Sequence, residues 1–135
     1  MRGQREQEVQ IRSGEVTLTG ALAGPTESSA AIVICIHGTG PLDRDENMPG
    51  QRLDIFNTVA HYLGERGISS LRYDKRGTGA STGDYYTAGH VDLLADVLAV
   101  IDYARGTGHG PISCWDTARE RCSQRRHRAN DRSMA

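Results

Sequence analysis

The feature that most constrains this chain is an uninterrupted apolar run at residues 31–36, which stops at His37-Gly38. The run reads Ala-Ile-Val-Ile-Cys-Ile, and a β-branched run without polar alternation is typical of a strand buried on both faces. Such strands belong to parallel sheets, where the following loop reaches the edge at which open α/β folds keep their sites. Gly38 and Gly40 would let backbone N–H groups approach a ligand, so this loop is a candidate anion cradle. A plain turn without chemistry fits the glycines equally well.

The elements around this run predict an α/β fold. Residues 9–22 alternate well enough to indicate an antiparallel hairpin that turns at Ser13-Gly14, and residues 68–73 indicate a second buried strand. One predicted helix precedes that strand, and another follows it and extends to about residue 103 or 105. Because strands and helices alternate with short connections, we expect a parallel sheet with right-handed crossovers. The apolar stripes of the helices are Leu53, Phe56, Val59, Ala60 and Leu63 in the first, and Val91, Leu94, Ala95, Leu98 and Ile101 in the second.

Length and composition are those of a soluble domain. A chain of 135 residues with net charge −1 predicts one globular unit without a polyelectrolyte partner. No window approaches the roughly eighteen apolar residues that a membrane span needs, so we expect a cytoplasmic protein with no membrane partner. Three irregularly spaced cysteines do not predict a disulfide framework, and reduced thiols are expected.

A second glycine-rich segment at residues 77–83 raises the question of nucleotide binding. Its third glycine comes one residue too late for the G-x-G-x-x-G fingerprint of dinucleotide-binding folds. Lys75 is the only lysine in the chain, so no P-loop can be drawn. The sequence therefore predicts no cofactor.

Two motifs carry a resemblance to a known family. One is His37-Gly38-Thr39-Gly40-Pro41 followed by Asp-Arg-Asp-Glu at 43–46, and the other is Leu-Arg-Tyr-Asp-Lys-Arg-Gly-Thr-Gly-Ala-Ser-Thr-Gly at 71–83. Together they resemble the front half of the α/β-hydrolase superfamily, and most closely its esterase and serine-aminopeptidase-like branch related to dienelactone hydrolases. The resemblance covers about residues 9–105 and implies a small-molecule ester or amide substrate for the full-length family.

The resemblance also implies roles for the residues of the first motif. The turn after His37-Gly38 would form half of an oxyanion hole, with the backbone N–H of Thr39 as the donor and Gly40 in the same loop. Such a donor, aimed at the charge that develops on a tetrahedral intermediate, lowers the barrier by about 3 kcal/mol.

For the second motif the resemblance implies a structural role. Asp74 and Arg76 would brace the loop through charged hydrogen bonds. Gly77 and Gly79 would supply tight turns, and Ser81 belongs to the same structural motif.

A hydrolase of this kind next needs a strand that ends in a G-x-S-x-G nucleophile elbow, and then an acid and a histidine. We expect no serine of this chain to stand in such an elbow, and hence no nucleophile. After Gly106 the composition changes, since residues 106–135 hold six arginines, no lysine and the only tryptophan. The sequence predicts an incomplete α/β-hydrolase domain at 1–105, with a hairpin, two parallel strands and two helices. An irregular Arg-rich tail, disordered or out of frame, follows at 106–135.

The genetic code suggests an origin for this tail. Cys114-Trp115-Asp116 must be encoded as TGY-TGG-GAY, and reading from each codon's third base forces Leu-Gly. The same frame from Ser113 to Cys122 permits Leu-Leu-Gly-His-Ser-Glu-Gly-Ala-Val, which contains a nucleophile elbow. We therefore hypothesise a frameshift between about residues 103 and 113.

The tail also permits other interpretations. It contains four residues of the types that bind zinc, His109, Cys114, Cys122 and His127. Their spacings match none of the usual paired zinc-ligand patterns, so no metal is expected. Its basic run at 125–128 lacks interleaved aromatic residues, and no nucleic acid is expected. Two hypotheses remain: a serine hydrolase by descent that is inactive as this chain, or a non-catalytic protein that binds a partner through the half-fold and basic tail.

The family's sheet has a further consequence for stability. There the strand at 31–36 lies between the strand at 68–73 and the elbow strand, so without the latter it would be an unpaired apolar edge. With the unburied faces of two helices added, we expect a marginally folded product that tends to aggregate.

Overall fold

The computed structural model describes residues 4–25, 29–37, 40–48, 50–108 and 110–116. Predictions that concern Gly38, Thr39, His109 and residues 117–135 therefore lie outside the described residues. The described residues form five strands and two helices: β1 (Gln4–Ser13), β2 (Val16–Pro25), β3 (Ile32–Ile36), α1 (Ile55–Glu65), β4 (Ser69–Tyr73), α2 (His90–Thr107) and β5 (Ile112–Asp116).

The strands form one mixed sheet in the order β1-β2-β4-β3-β5. The hairpin of β1 and β2 is antiparallel. Its pairing begins at Ser13 opposite Val16, so the two-residue turn is Gly14-Glu15. β2 continues antiparallel onto β4, whereas β3 lies parallel to β4. The predicted α/β class, hairpin and parallel strand pair are thus confirmed.

The expectation that β3 forms an unpaired edge is wrong. β5 lies parallel to β3 along its whole length, from Ile32 opposite Ile112 to Ile36 opposite Asp116. This strand falls in the segment predicted to be an irregular tail, and α2 also continues to Thr107, past the expected boundary at 105. The sequence Ile-Ser-Cys-Trp-Asp has no period-two alternation, which is why the pattern did not indicate a strand.

The two helices cover opposite faces of the sheet. Ile32 and Ile34 are fully buried in the apolar cluster that includes Val100 of α2. Side chains alternate along a strand, so Cys35 points to the other face, where α1 places the fully buried Phe56. No helix within the described ranges is long and apolar enough to cross a membrane.

The predicted apolar stripes identify the helices but assign part of their faces wrongly. In α2, Val91, Leu94 and Leu98 are 79%, 58% and 53% exposed. The buried positions of α2 are Asp96, Val100 and Ala104 instead. Leu53 precedes α1 and is also exposed, because the helix begins only at residue 55.

Candidate functional site

His37 directly follows β3, and the fold buries it instead of presenting it to a substrate. The ring is 4% exposed, and its Nε2 is hydrogen-bonded to the backbone carbonyl oxygen of Tyr73. It packs edge-on against the Tyr73 ring at 4.7 Å between centroids, and lies 5.8 Å from the Phe56 ring. Burial, assisted by the charge of Lys75, lowers the pKa of His37 to about 3, so the imidazole is neutral. A buried, neutral ring in these contacts is poorly suited to act as a general base.

Gly40, the last residue of the predicted oxyanion turn, has both of its backbone polar groups hydrogen-bonded to side chains. Its N–H donates to the hydroxyl oxygen of Tyr85 at 3.1 Å, and its carbonyl oxygen accepts from Lys75 Nζ at 2.9 Å. Its φ of 113° lies in a region that side chains other than glycine rarely adopt. Gly38 and Thr39 lie outside the described residues, so the Thr39 N–H donor stays a prediction.

The polar loop after this turn is stabilised by its own side chains. Asp43 Oδ1 accepts from the backbone N–H groups of Asp45 and Asn47, at 2.9 and 3.0 Å. Asn47 Oδ1 in turn accepts from the N–H groups of Leu53 and Asp54 just before α1. These bonds order the described part of the loop around Asp43 and Asn47 and connect it to the chain just before α1.

Asp74 organises the loop that follows β4. Its buried carboxylate accepts from the backbone N–H of Arg44 at 2.7 Å, from Arg44 Nη2 at 3.1 Å and from the N–H of Ala80 at 3.0 Å. A Cβ on Gly79 would lie 2.5 Å from this carboxylate, so the close approach requires glycine. Gly77 has a similar constraint, because a Cβ there would lie 2.4 Å from the backbone N of Tyr85. The carboxylate thereby ties the loop after β3 to the loop after β4.

Arg76 points away from the turn and pairs with α2. Its Nε and Nη2 each donate to the carboxylate of Asp96 at 2.8 Å. Ser13 Oγ donates to the same carboxylate at 2.6 Å, which adds the β1–β2 hairpin to the cluster. These contacts place Arg76 in the supporting structure behind the loop.

Ser81 requires a correction of the sequence prediction. Residues 79–83, Gly-Ala-Ser-Thr-Gly, match G-x-S-x-G letter for letter, which the expectation of no such serine overlooked. Its Oγ donates to the Asp74 carbonyl oxygen at 2.6 Å and accepts from the Thr19 N–H at 2.9 Å. Ser81 is buried in a loop, not exposed on a strand-to-helix turn, so it is not placed as a nucleophile.

Two arginines that the sequence did not single out connect the site to β1. Arg72 is 3% exposed in its side chain and lies within ion-pair distance of Glu6 and of Asp45, the latter at 3.2 Å. Arg44 pairs with Asp74 at 3.1 Å and with Glu8 at 3.2 Å. The signal for these contacts is the alternation of carboxylates along β1, because Glu6 and Glu8 share one face of the strand.

An open cleft of about 680 Å³ lies between the two loops, and both polar and apolar side chains line it. Its walls include Pro41, Asp43 and Met48 on one side and Thr78 on the other. Burial raises the pKa of the Cys35 thiol to about 12, so this sulfur is not a nucleophile for a ligand in the cleft. Within the described residues, no group of three or more metal-ligating side chains could hold an ion.

Solved structures provide the comparison with known proteins. Est1E from Butyrivibrio proteoclasticus, solved with bound ferulic acid, is 25% identical with a TM-score of 0.66, over 80% of this chain and 41% of that one. Esterase Pf2001 from Pyrococcus furiosus is 22% identical with a TM-score of 0.63, over 83% and 42%. The hydrolase GrgF from Penicillium sp. sh18 is 22% identical with a TM-score of 0.61, over 84% and 37%. The chain thus spans about two fifths of the length of these structures. It matches no family model and no curated protein.

Proposed function

We propose that this chain, which has the fold of the front part of an α/β hydrolase, is the oxyanion-hole half of a serine hydrolase that cleaves carboxylic ester or amide bonds. In such an enzyme the serine attacks the substrate carbonyl, and backbone N–H groups stabilise the negative charge on the tetrahedral intermediate. The turn after β3 supplies one of these N–H groups, and the serine follows the strand that lies beside β3 in the position of β5.

The observation that carries the proposal is the register of β5 against β3. Asp116, the last residue of β5, pairs with Ile36, the last residue of β3, so the two strands end level at one edge of the sheet. The alternative reading frame through Cys114-Trp115-Asp116 permits Leu-Leu-Gly-His-Ser-Glu-Gly, whose serine codon falls about two residues beyond the end of β5. A nucleophile there would follow β5, the strand adjacent to β3, and β3 is the strand that leads into His37 and the predicted oxyanion turn.

The proposal includes inactivity of the chain as its sequence stands. Residues 114–122 in the present frame carry no serine with elbow neighbours, and Ser81 is committed to Asp74 and Thr19. A frameshift between about residues 103 and 113 would account for both the lost elbow and the Arg-rich tail. The alternative of a partner-binding protein depends on the half-fold and the basic tail, of which residues 117–135 lie outside the described residues, and no contact within the described residues favours it.

Sequencing the DNA that encodes residues 103–122, followed by restoring the frame, tests the proposal. We expect the corrected frame to read Gly-His-Ser-Glu-Gly and the resulting protein to hydrolyse p-nitrophenyl butyrate or an aminoacyl p-nitroanilide. Replacing the serine of that segment by alanine should abolish turnover, while the 135-residue chain shows none. If the frame-corrected protein folds but leaves both substrates intact, the proposal of hydrolysis is wrong.

A further inference from the structure

We infer that Lys75 and Tyr85 are positioning residues that fix the backbone of Gly40, the last residue of the predicted oxyanion turn, by binding both of its polar groups. The inference rests on the proposed function, since the turn has a catalytic task only in a hydrolase. The contacts themselves are independent of it, which allows the two to be tested apart.

The geometry holds Gly40 on both sides. Tyr85 Oη accepts from the Gly40 N–H at 3.1 Å, and Lys75 Nζ donates to the Gly40 carbonyl oxygen at 2.9 Å. The N–H and the carbonyl lie on opposite sides of the Gly40 Cα, so the two bonds restrain both backbone dihedral angles of Gly40. Glycine has the widest backbone freedom of any residue, and a donor within this turn needs external restraint to keep one orientation.

The two side chains extend from a loop that is itself rigidly held. Lys75 Nζ lies 5.4 Å from the centroid of the Tyr85 ring, within range of a cation–π interaction. The Thr78 hydroxyl lies within hydrogen-bond distance of the Lys75 and Leu42 carbonyl oxygens, at 2.8 and 3.1 Å, so the same loop also contacts the chain two residues beyond Gly40. Restraint of this kind is the preorganisation that oxyanion stabilisation requires, because the donors must not reorient as charge develops.

The charge of Lys75 also acts on the first residue of the turn. Burial and, after it, the charge of Lys75 lower the pKa of His37, so the field of Lys75 reaches the residue that opens the predicted turn. A fixed positive charge beside a turn that stabilises an anion favours the charged transition state. Lys75 would then stabilise the transition state in two ways without touching the substrate. It holds the Gly40 carbonyl oxygen, and it places a positive charge near the developing anion.

The first arm of the test measures the amide hydrogen exchange and the ¹H chemical shift of Gly40 in the 135-residue chain. In ¹⁵N-labelled protein we expect Tyr85→Phe, which removes only the hydroxyl, to raise the amide hydrogen-exchange rate of Gly40 about tenfold and to move its ¹H shift upfield. Exchange at Ile34 in β3 should stay unchanged. Tyr62→Phe makes the same chemical change on the exposed surface of α1 and should leave Gly40 as in the wild type.

The second arm uses the frame-corrected protein. We expect Tyr85→Phe and Lys75→Met each to lower kcat about tenfold with KM changed less than about twofold, because the loss is in transition-state stabilisation. Lys75→Arg, which keeps a donor and a positive charge, should recover most of the rate. Tyr62→Phe should keep the wild-type kcat.

The outcomes separate the inference from the proposed function. Faster Gly40 exchange in Tyr85→Phe without any turnover by the frame-corrected protein supports the restraint and contradicts the hydrolase. Turnover that Tyr85→Phe and Lys75→Met leave unchanged supports the hydrolase and overturns the inference. Unchanged Gly40 exchange in Tyr85→Phe also overturns it, and if the labelled chain gives no resolved Gly40 signal, the kinetic arm decides.

Discussion

Arg76 and Asp96 form a two-pronged ion pair in which both nitrogen–oxygen distances are 2.8 Å. Asp96 is 2% exposed and sits on the buried face of α2, so this pair anchors the glycine-rich loop to the helix behind it. Planar arginine–carboxylate pairing of this kind fixes relative orientation as well as distance. The pair therefore defines where the loop of Lys75 and Tyr85 stands relative to the sheet.

Breaking this pair from one side should destabilise the protein strongly. Among the described residues, Arg76→Met leaves Ser13 as the remaining donor to the buried Asp96 carboxylate, and we expect a loss of about 3 kcal/mol in the free energy of unfolding, measured in urea. The double variant Arg76→Met/Asp96→Leu should lose less, because no unpaired charge remains. Arg105→Met removes an exposed partner of Asp102 and should cost less than about 1 kcal/mol. A double variant less stable than Arg76→Met would contradict this account.

Much of the fold could be predicted because every described strand except β5 has a recognisable local pattern. The apolar run before His37 and the strand before Asp74 are buried on both faces, so their patterns needed no tertiary information. Helix α2 was different, since it carries two possible apolar stripes. Periodicity favoured Val91, Leu94 and Leu98, whereas the stripe that packs on the sheet contains a carboxylate, Asp96. A buried charge becomes acceptable only through a distant partner, which periodicity cannot reveal.

The site was predictable in position but not in its contacts. The glycines of the two motifs marked the loops where the strands end, but the bonds between the loops join residues 30 to 45 positions apart. Lys75 drew attention only as an isolated lysine, and Tyr85 carried no motif at all. Their meeting at Gly40 follows from the parallel pairing of β3 and β4, which brings both loops to one edge.

Replacing glycine by alanine should lower stability where the surrounding atoms leave no room for a Cβ, and should not lower it where there is room. Gly79→Ala places a Cβ 2.5 Å from the Asp74 carboxylate at a φ of 50°, so we expect a loss of at least about 2 kcal/mol in stability. Gly106→Ala adds a methyl group in α2 with nothing within 4 Å and should stabilise by up to about 1 kcal/mol. Thermal unfolding measures both. Equal melting temperatures for the two variants would show that the Asp74 loop is not tightly packed.

The exposed stripe of α2 should control self-association. Val91, Leu94 and Leu98 present a contiguous apolar surface on one side of the helix, and such surfaces promote association in water. We expect Leu94→Glu/Leu98→Glu to shift the protein toward monomer in sedimentation velocity while its melting temperature stays within a few degrees. The control Val100→Ala alters the buried face and should lower the melting temperature without relieving association. A wild-type chain that is monomeric at high concentration would contradict the prediction.

The burial of His37 should make stability depend on pH below neutrality. Its pKa is about 3 in the folded protein because of burial and the charge of Lys75, whereas the unfolded chain has the ordinary value of about 6.5. The unfolded state therefore binds a proton that the folded state does not, and the free energy of unfolding should fall by about 1.4 kcal/mol for each pH unit from about 6 toward 4.

Urea unfolding of the wild type, His37→Gln and His61→Gln at several pH values isolates the contribution of His37. His37→Gln should have a shallower dependence on pH, since glutamine does not titrate. His61 is exposed on α1 beside Glu65, so His61→Gln should parallel the wild type. Asp45 has a raised pKa owing to burial and contributes the opposite slope, but it is present in all three proteins and cancels from the comparison. Parallel curves for the wild type and His37→Gln would mean that the imidazole takes up a proton in the folded protein, which contradicts a ring kept neutral by its burial.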